Sequence, residues 1–208
     1  MSTEKPAPRF NTLSDRARYY TSGLTSRLGH ALWHMGIHPD WLTAAGLAIV
    51  ALAGLVASQG HFFWAGIIVI LGSPLDALDG AVARAMQRKG RFGAFFDSTL
   101  DRYADGFLFM GLAYYFSEHG NQTGVLLSIL ALLGSVMVSY TRARAEGLDL
   151  DCKIGLFTRM ERIAVLLIML LTGWVIPGLW IMVIGTHVTV LQRMVYVYQQ
   201  LKERESAL

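Results

Sequence analysis

The sequence predicts an all-α integral membrane protein in which six transmembrane helices follow an N-terminal amphipathic interfacial helix, with both termini cytoplasmic. Three observations carry this reading. Apolar residues make up 53% of the 208-residue chain and charged residues only 16%, at a mean hydropathy of +0.42. The apolar residues gather into six stretches, each near the roughly 20 residues that a helix needs to span a bilayer. All 18 Lys and Arg residues fall on one side when the chain is threaded through six spans. No two-residue alternation is sustained, which argues against a membrane β-barrel. A chain of this length suits one domain better than two.

The opening segment, residues 1–11, is polar and carries Pro6 and Pro8. It lacks the charged, then apolar, then small-residue pattern of a cleavable signal peptide, so none is expected. Residues 10–38 mix Arg16, Arg18 and Arg27 with Leu24, Leu28, Leu32 and Trp33, the composition of a helix lying in the membrane interface. Residues 1–38 are therefore read as tail and interfacial helix, and 39–208 as the six-helix domain. Pro39 marks the boundary, since proline restrains its predecessor and opens new helices.

The spans are expected at about 41–59, 62–88, 92–117, 123–146, 157–175 and 178–200. The joints at 58–61, 118–122 and 173–178 contain no Lys or Arg. Arg84, Arg88, Lys89, Arg91 and Arg102 surround the second turn, and Arg142, Arg144, Lys153, Arg159 and Arg162 the fourth. The tails hold the remainder. The positive-inside rule makes that face cytoplasmic. A multi-pass protein of the plasma membrane with its site facing the cytoplasm is the resulting expectation, and no nucleic-acid partner is expected.

Four aspartates, Asp76, Asp79, Asp97 and Asp101, crowd the junction of the second and third stretches. A lone Asp at the centre of a membrane helix costs about 2.5–3.5 kcal/mol on insertion scales, so a set of four demands positive compensation. Asp76 and Asp79 are i and i+3; Asp97 and Asp101 are i and i+4. Each pair shares a helix face, and the short turn around Arg88 to Arg91 lets the two faces fold together. Gly80, Ala83 and Gly93 add little bulk beside them. Oxygen-only donors suit Mg2+ or Mn2+ rather than zinc. Two such ions neutralise a diphosphate during in-line displacement, and an Asp at the mouth of the site can act as base.

The pattern Asp76-x2-Asp79-Gly80-x2-Ala83-Arg84-x8-Gly93-x3-Asp97-x3-Asp101 fixes eight residues over a span of 26. It resembles the signature of the CDP-alcohol phosphatidyltransferase family at every defined position. The resemblance implies that Asp76, Asp79, Asp97 and Asp101 hold two metal ions, Mg2+ or Mn2+, under the diphosphate of CDP-diacylglycerol. It further implies that Asp101 is the base, that CMP leaves, and that Gly80, Ala83, Arg84 and Gly93 meet the donor. The stretch Asp40, Trp41, Leu42 and Thr43, entering the first span, is similar to a second nucleotide-contacting segment. A homodimer is a further implication.

The second basic cluster delivers arginines from three helices toward one side. Guanidinium groups bind phosphate through paired donors, although Lys and Arg near helix ends also serve as plain membrane anchors. The arrangement resembles the phosphatidylinositol phosphate synthase branch, which implies Arg142, Arg159 and Arg193 as ligands of the acceptor phosphate. The acceptor is then an inositol phosphate, with glycerol 3-phosphate the nearest rival. Serine would leave the arginines without a role, and hydrolysis by water is disfavoured by the same cluster. A cation transporter is a reading of another class, but the acids sit at the basic edge and the chain shows no inverted repeat. His30, His34 and His38 recur at i, i+4 and i+8 and read as interfacial rather than metal-binding. Asp105 extends the acidic face by one turn and reads as a support, and Cys152 as an ordinary loop thiol.

Overall fold

The computed structural model describes residues 27–36, 38–86 and 91–206; within it, the side chains of Asp76, Ala77 and Arg91 are not among the described residues. The expected interfacial segment lies within the description only from residue 27, and Arg88, Lys89 and the turn around them lie outside it. Among the described residues there are seven helices and no strands. Helix α1 covers 27–34. The others are α2 (Pro39–Ser58), α3 (Phe62–Ala85), α4 (Arg91–Glu118), α5 (Gln122–Glu146), α6 (Arg159–Thr172) and α7 (Val175–Ser206).

The boundaries follow local chemistry. Pro39 opens α2 where its missing N–H costs nothing, and the His38 side chain caps the helix by accepting from the Asp40 amide. Gly60, at φ +82°, makes the sharp exit toward α3. Pro74 lies inside α3 and removes one backbone bond, yet the helix runs through it. The Asn121 carboxamide accepts from Gly124 N at 2.9 Å to start α5. Thr158 and Glu161 form a capping box on α6.

Four helices, α2, α3, α5 and α7, are long and apolar enough by length and composition to cross a membrane. The remaining two expected spans coincide with α4 and α6. The first carries Asp97, Asp101, Arg102 and Asp105 along its length, and the second has 14 residues, about 21 Å at 1.5 Å per residue.

Helix α2 packs on α3 and α4, α5 on α4 and α7, and α6 on α3 and α7. Phe109, Leu112, Leu127, Met169, Leu170, Leu179 and Met182 fill the centre. The α2–α4 crossing brings backbones together: a Cβ on Gly54 would lie 2.5 Å from the Phe107 carbonyl oxygen. Only glycine permits that approach. Many large apolar side chains face outward, Trp64, Leu71, Trp174 and Leu191 among them, an apolar exterior far beyond the patches of a water-soluble protein.

Candidate active site

Helices α2, α3 and α4 converge at the end where α2 begins and α3 finishes. Pro39, Asp40, Thr43, Asp79, Gly80, Ala83, Gly93, Ala94 and Asp97 line one cleft of about 260 Å³ there. Asp79 is 7% exposed, and Thr43 Oγ1 donates to its Oδ2 at 2.7 Å. That bond fixes the carboxylate from the neighbouring helix. A Cβ on Gly93 would meet nothing within 4 Å, so any side chain there would project into open space beside the cleft. At Gly80 a Cβ would lie 3.3 Å from Arg84 Nη1; the exposed guanidinium folds back over this glycine.

The sequence expectation gathers most of its donor residues here. Asp40, Thr43, Gly80, Ala83 and Gly93 line the cleft with Asp79 and Asp97. Arg84 stands at its edge. Trp41 is 75% exposed and Leu42 half-buried, and neither lines the cleft. The side chain of Asp76 lies outside the described residues, one turn before Asp79 on α3. Among the described residues no three His, Cys, Asp or Glu side chains converge as a ready metal cage. The chemistry of the donor set nonetheless fits a hard divalent ion, since Asp40, Asp79 and Asp97 present only oxygen to one concave space.

Asp101 is one turn further along α4 and faces a second cavity. This space, about 80 Å³, is lined by Asp101, Asp105, Arg159 and Arg162 at its polar end. Val50, Val69, Leu108, Phe109, Leu166 and Met182 form its apolar walls. Asp101 Oδ2 is ion-paired to Arg159 of α6, with Arg102 Nη1 at 3.5 Å. Arg102 also donates to the Ser98 carbonyl. Asp105 Oδ2 lies 3.7 Å from Arg162 Nη2.

The three expected phosphate ligands are dispersed. Arg159 lines the second cavity. Arg142 is exposed and donates to Glu146 of its own helix at 2.9 Å. Arg193 is 3% exposed and spends its guanidinium on main-chain carbonyls, Nε to Ile154 at 3.0 Å and Nη1 to Val138. Sequence reasoning passes over Arg162 and Arg102 as site residues, although both lie within electrostatic reach of the others: Arg162 of Arg102, Arg159 and Arg193, and Arg102 of Arg142. The available signal is the Arg159-x2-Arg162 spacing, which sets both on one face of α6.

The profile of the CDP-alcohol phosphatidyltransferase family matches residues 36–191, which takes in the cleft and the second cavity alike. The chain belongs to that family. It is thereby a CDP-alcohol phosphatidyltransferase, an enzyme that handles a CDP-linked donor. Its relatives include an archaetidylinositol phosphate synthase of Methanothermobacter thermautotrophicus, 37% identical over 78% of this chain and 84% of the relative. A phosphatidylinositol phosphate synthase of Streptomyces avermitilis is 36% identical over 94% of this chain and 86% of its own. Among solved structures, the phosphatidylinositol phosphate synthase of Mycobacterium tuberculosis with CDP-DAG bound superposes with a TM-score of 0.79 at 29% identity. The match covers 84% of this chain and 93% of that one. The same Mycobacterium tuberculosis enzyme in complex with manganese and citrate gives a TM-score of 0.78 at 28% identity, over 84% and 88%. In this phosphatidyltransferase the eight signature positions therefore lie on α3 and α4, with α2 closing the cleft from the side.

Proposed function

We propose that this protein transfers the phosphatidyl group of CDP-diacylglycerol to a hydroxyl of inositol phosphate, releasing CMP, at the cytoplasmic face of the plasma membrane. The observation that carries the reading is the adjacency of two unlike spaces: a carboxylate-lined cleft and a cavity whose polar end holds Arg159 and Arg162, with α4 contributing Asp97 to one and Asp101 to the other. A diphosphate donor needs the first, and a phosphorylated acceptor the second. The names of the inositol phosphate-forming relatives support this choice of acceptor.

Asp76, Asp79, Asp97 and Asp101 are the residues that would hold two divalent ions, Mg2+ or Mn2+, which when bound neutralise the diphosphate and stabilise the leaving CMP. Thr43 keeps the Asp79 carboxylate oriented through its 2.7 Å bond. Gly80, Ala83 and Gly93 leave room for the donor, Arg84 meets its nucleotide part, and the 40–43 segment borders the same space. The acceptor hydroxyl oxygen attacks the phosphorus that carries the diacylglycerol. Its bond to the CMP oxygen breaks, CMP leaves with the electron pair, and the hydroxyl proton passes to Asp101. Arg159 lies beside Asp101, so an acceptor whose phosphate is bound there brings its polyol hydroxyls near the base. Arg142 and Arg193 complete the acceptor site, the second by fixing the chain around it.

In the same reading the chain crosses the membrane six times, with α4 and α6 as the two spans that carry the polar site. Residues 1–38 contribute the tail and an interfacial helix, both termini are cytoplasmic, and two chains form a homodimer. The test is CMP release from CDP-diacylglycerol by purified protein with Mg2+ or Mn2+, offered inositol 1-phosphate, glycerol 3-phosphate, serine or no acceptor. CMP with inositol phosphate alone is the expected result. Release with glycerol 3-phosphate alone would overturn the acceptor, and no release with any of them would overturn the reaction.

A further inference from the structure

Two ion pairs bridge α4 and α6 across the second cavity. Asp101 and Asp105 are one turn apart on α4, Arg159 and Arg162 nearly one turn apart on α6, and the pairs 101–159 and 105–162 step along the helices in the same sense. The inner pair is the unusual one. Arg162 is 7% exposed, and its one ion-pair partner among the described residues is Asp105, at the long distance of 3.7 Å. A guanidinium offers five N–H donors in a planar fork, so most of them remain for whatever enters the cavity. Desolvating an arginine with one loose partner is unfavourable, and a site built only for packing would hold an aliphatic residue among Val69, Leu108, Leu166 and Met182. The cost is explicable if the cavity receives an anion and the guanidinium must already point at it.

We propose that Asp105 is a positioning residue for the acceptor: its carboxylate holds Arg162 against the cavity wall, and Arg162 presents its remaining donors to the acceptor's phosphate. This rests on the phosphorylated acceptor of the proposed function and adds the residue pair that determines selectivity for it. Arg102 lies within electrostatic reach of Asp105, but its Nη1 is committed to the Ser98 carbonyl and Asp101. Arg162 is thus the cation that Asp105 aims. Arg193, tied to two carbonyls, lies within electrostatic reach of Arg162 and adds to the positive field.

The experiment is steady-state CMP release by full-length Asp105→Asn and Arg162→Gln, singly and together, with CDP-diacylglycerol and inositol 1-phosphate varied in turn. Asp105→Asn is expected to raise the acceptor KM about 10-fold, in line with loss of charge-assisted orientation, while donor KM stays within about twofold. Arg162→Gln raises it at least as much, and the double variant is no worse than Arg162→Gln alone, because both act through one contact. An unchanged acceptor KM in Asp105→Asn overturns the proposal. So does a parallel rise of both KM values with a lowered thermal midpoint, the signature of a scaffold. If Asp105→Asn does not accumulate, Arg162→Lys decides: it keeps the charge and loses the fork. A raised acceptor KM at constant donor KM then supports the assignment, and two unchanged values overturn it. Wild-type protein that fails with every phosphorylated acceptor would overturn the function reading and this inference together, whereas active wild type with an indifferent Asp105→Asn overturns the inference alone.

Discussion

Thr43 and Asp79, 36 positions apart in the chain, meet from neighbouring helices, and the bond gives Thr43 a role that its place in the 40–43 segment does not announce. Groups that orient a metal-binding carboxylate affect affinity about 10- to 100-fold. Thr43→Val, which keeps shape and loses the hydroxyl, should therefore weaken Mn2+ binding by about 10-fold, measurable by metal titration of CMP release. Asp101→Asn should lower turnover by about 10²–10⁴-fold, the range of general-base contributions, while CDP-diacylglycerol binding by calorimetry persists; retained turnover would remove Asp101 as base. The acidic residues are legible from sequence because a carboxylate inside an apolar run is costly and its i, i+3 or i, i+4 partner is fixed by helix geometry. The arginines are less so. Nothing in one-dimensional spacing separates Arg193, whose donors end on the Val138 and Ile154 carbonyls, from Arg159, which faces a cavity. The split between Asp97 and Asp101 is likewise invisible, because which neighbour a helix meets one turn further on depends on tertiary packing.

At the scale of elements, the connection between α5 and α6 is the part that hydropathy describes least and side chains determine most. Residues 147–158 run along the end of α7. Thr189 Oγ1 and Gln192 Oε1 accept from Phe157 N and Leu156 N, Tyr196 Oη donates to the Asp151 carbonyl, and Arg204 donates to those of Leu148 and Asp149. Cys152, itself within this strap, is wholly buried, with Ala145, Leu150, Tyr196, Val197 and Leu201 around it. Burial pushes the Cys152 thiol up from its ordinary value, so less reactive thiolate is present at any pH below that range. The sign for stability follows: the unfolded thiol ionises first, so the folded state loses ground as pH rises above the ordinary thiol range. Maleimide labelling of Cys152 at pH 7.5 should be at least about 10-fold slower in folded than in denatured protein, since only open molecules react. Arg204→Ala should narrow that gap. Equal labelling rates in folded and denatured wild type would contradict the burial. Sequence reasoning reads this cysteine as an ordinary loop thiol; its seclusion comes from α7 residues more than 40 positions away.

For the whole molecule, six apolar stretches become six helices, and their ends lie within a few residues of where Pro39, Gly60, Asn121, Thr158 and Gly173 punctuate the chain. Cap and breaker chemistry is local, which is why the architecture can be read without the structure. Whether α4 and α6 lie in lipid cannot be read from their own apolarity, since one is acidic and the other short. The topology predicts that Asn121→Cys, between α4 and α5, is labelled by an impermeant maleimide on intact cells, and that Gln200→Cys is labelled only after permeabilisation. Labelling of both from outside would refute it, and buried Cys152 keeps the background low. The strap along α7 also bears on how such a chain can change over generations. Surface connections ordinarily tolerate inserted or deleted residues. Here six carbonyls and amides between Leu148 and Phe157 bond to side chains spread over about four turns of a rigid rod. A single added residue would slip that register and drag the start of α6, with Arg159 and Arg162, out of alignment with Asp101 and Asp105. The length of this connection should therefore vary less than its sequence.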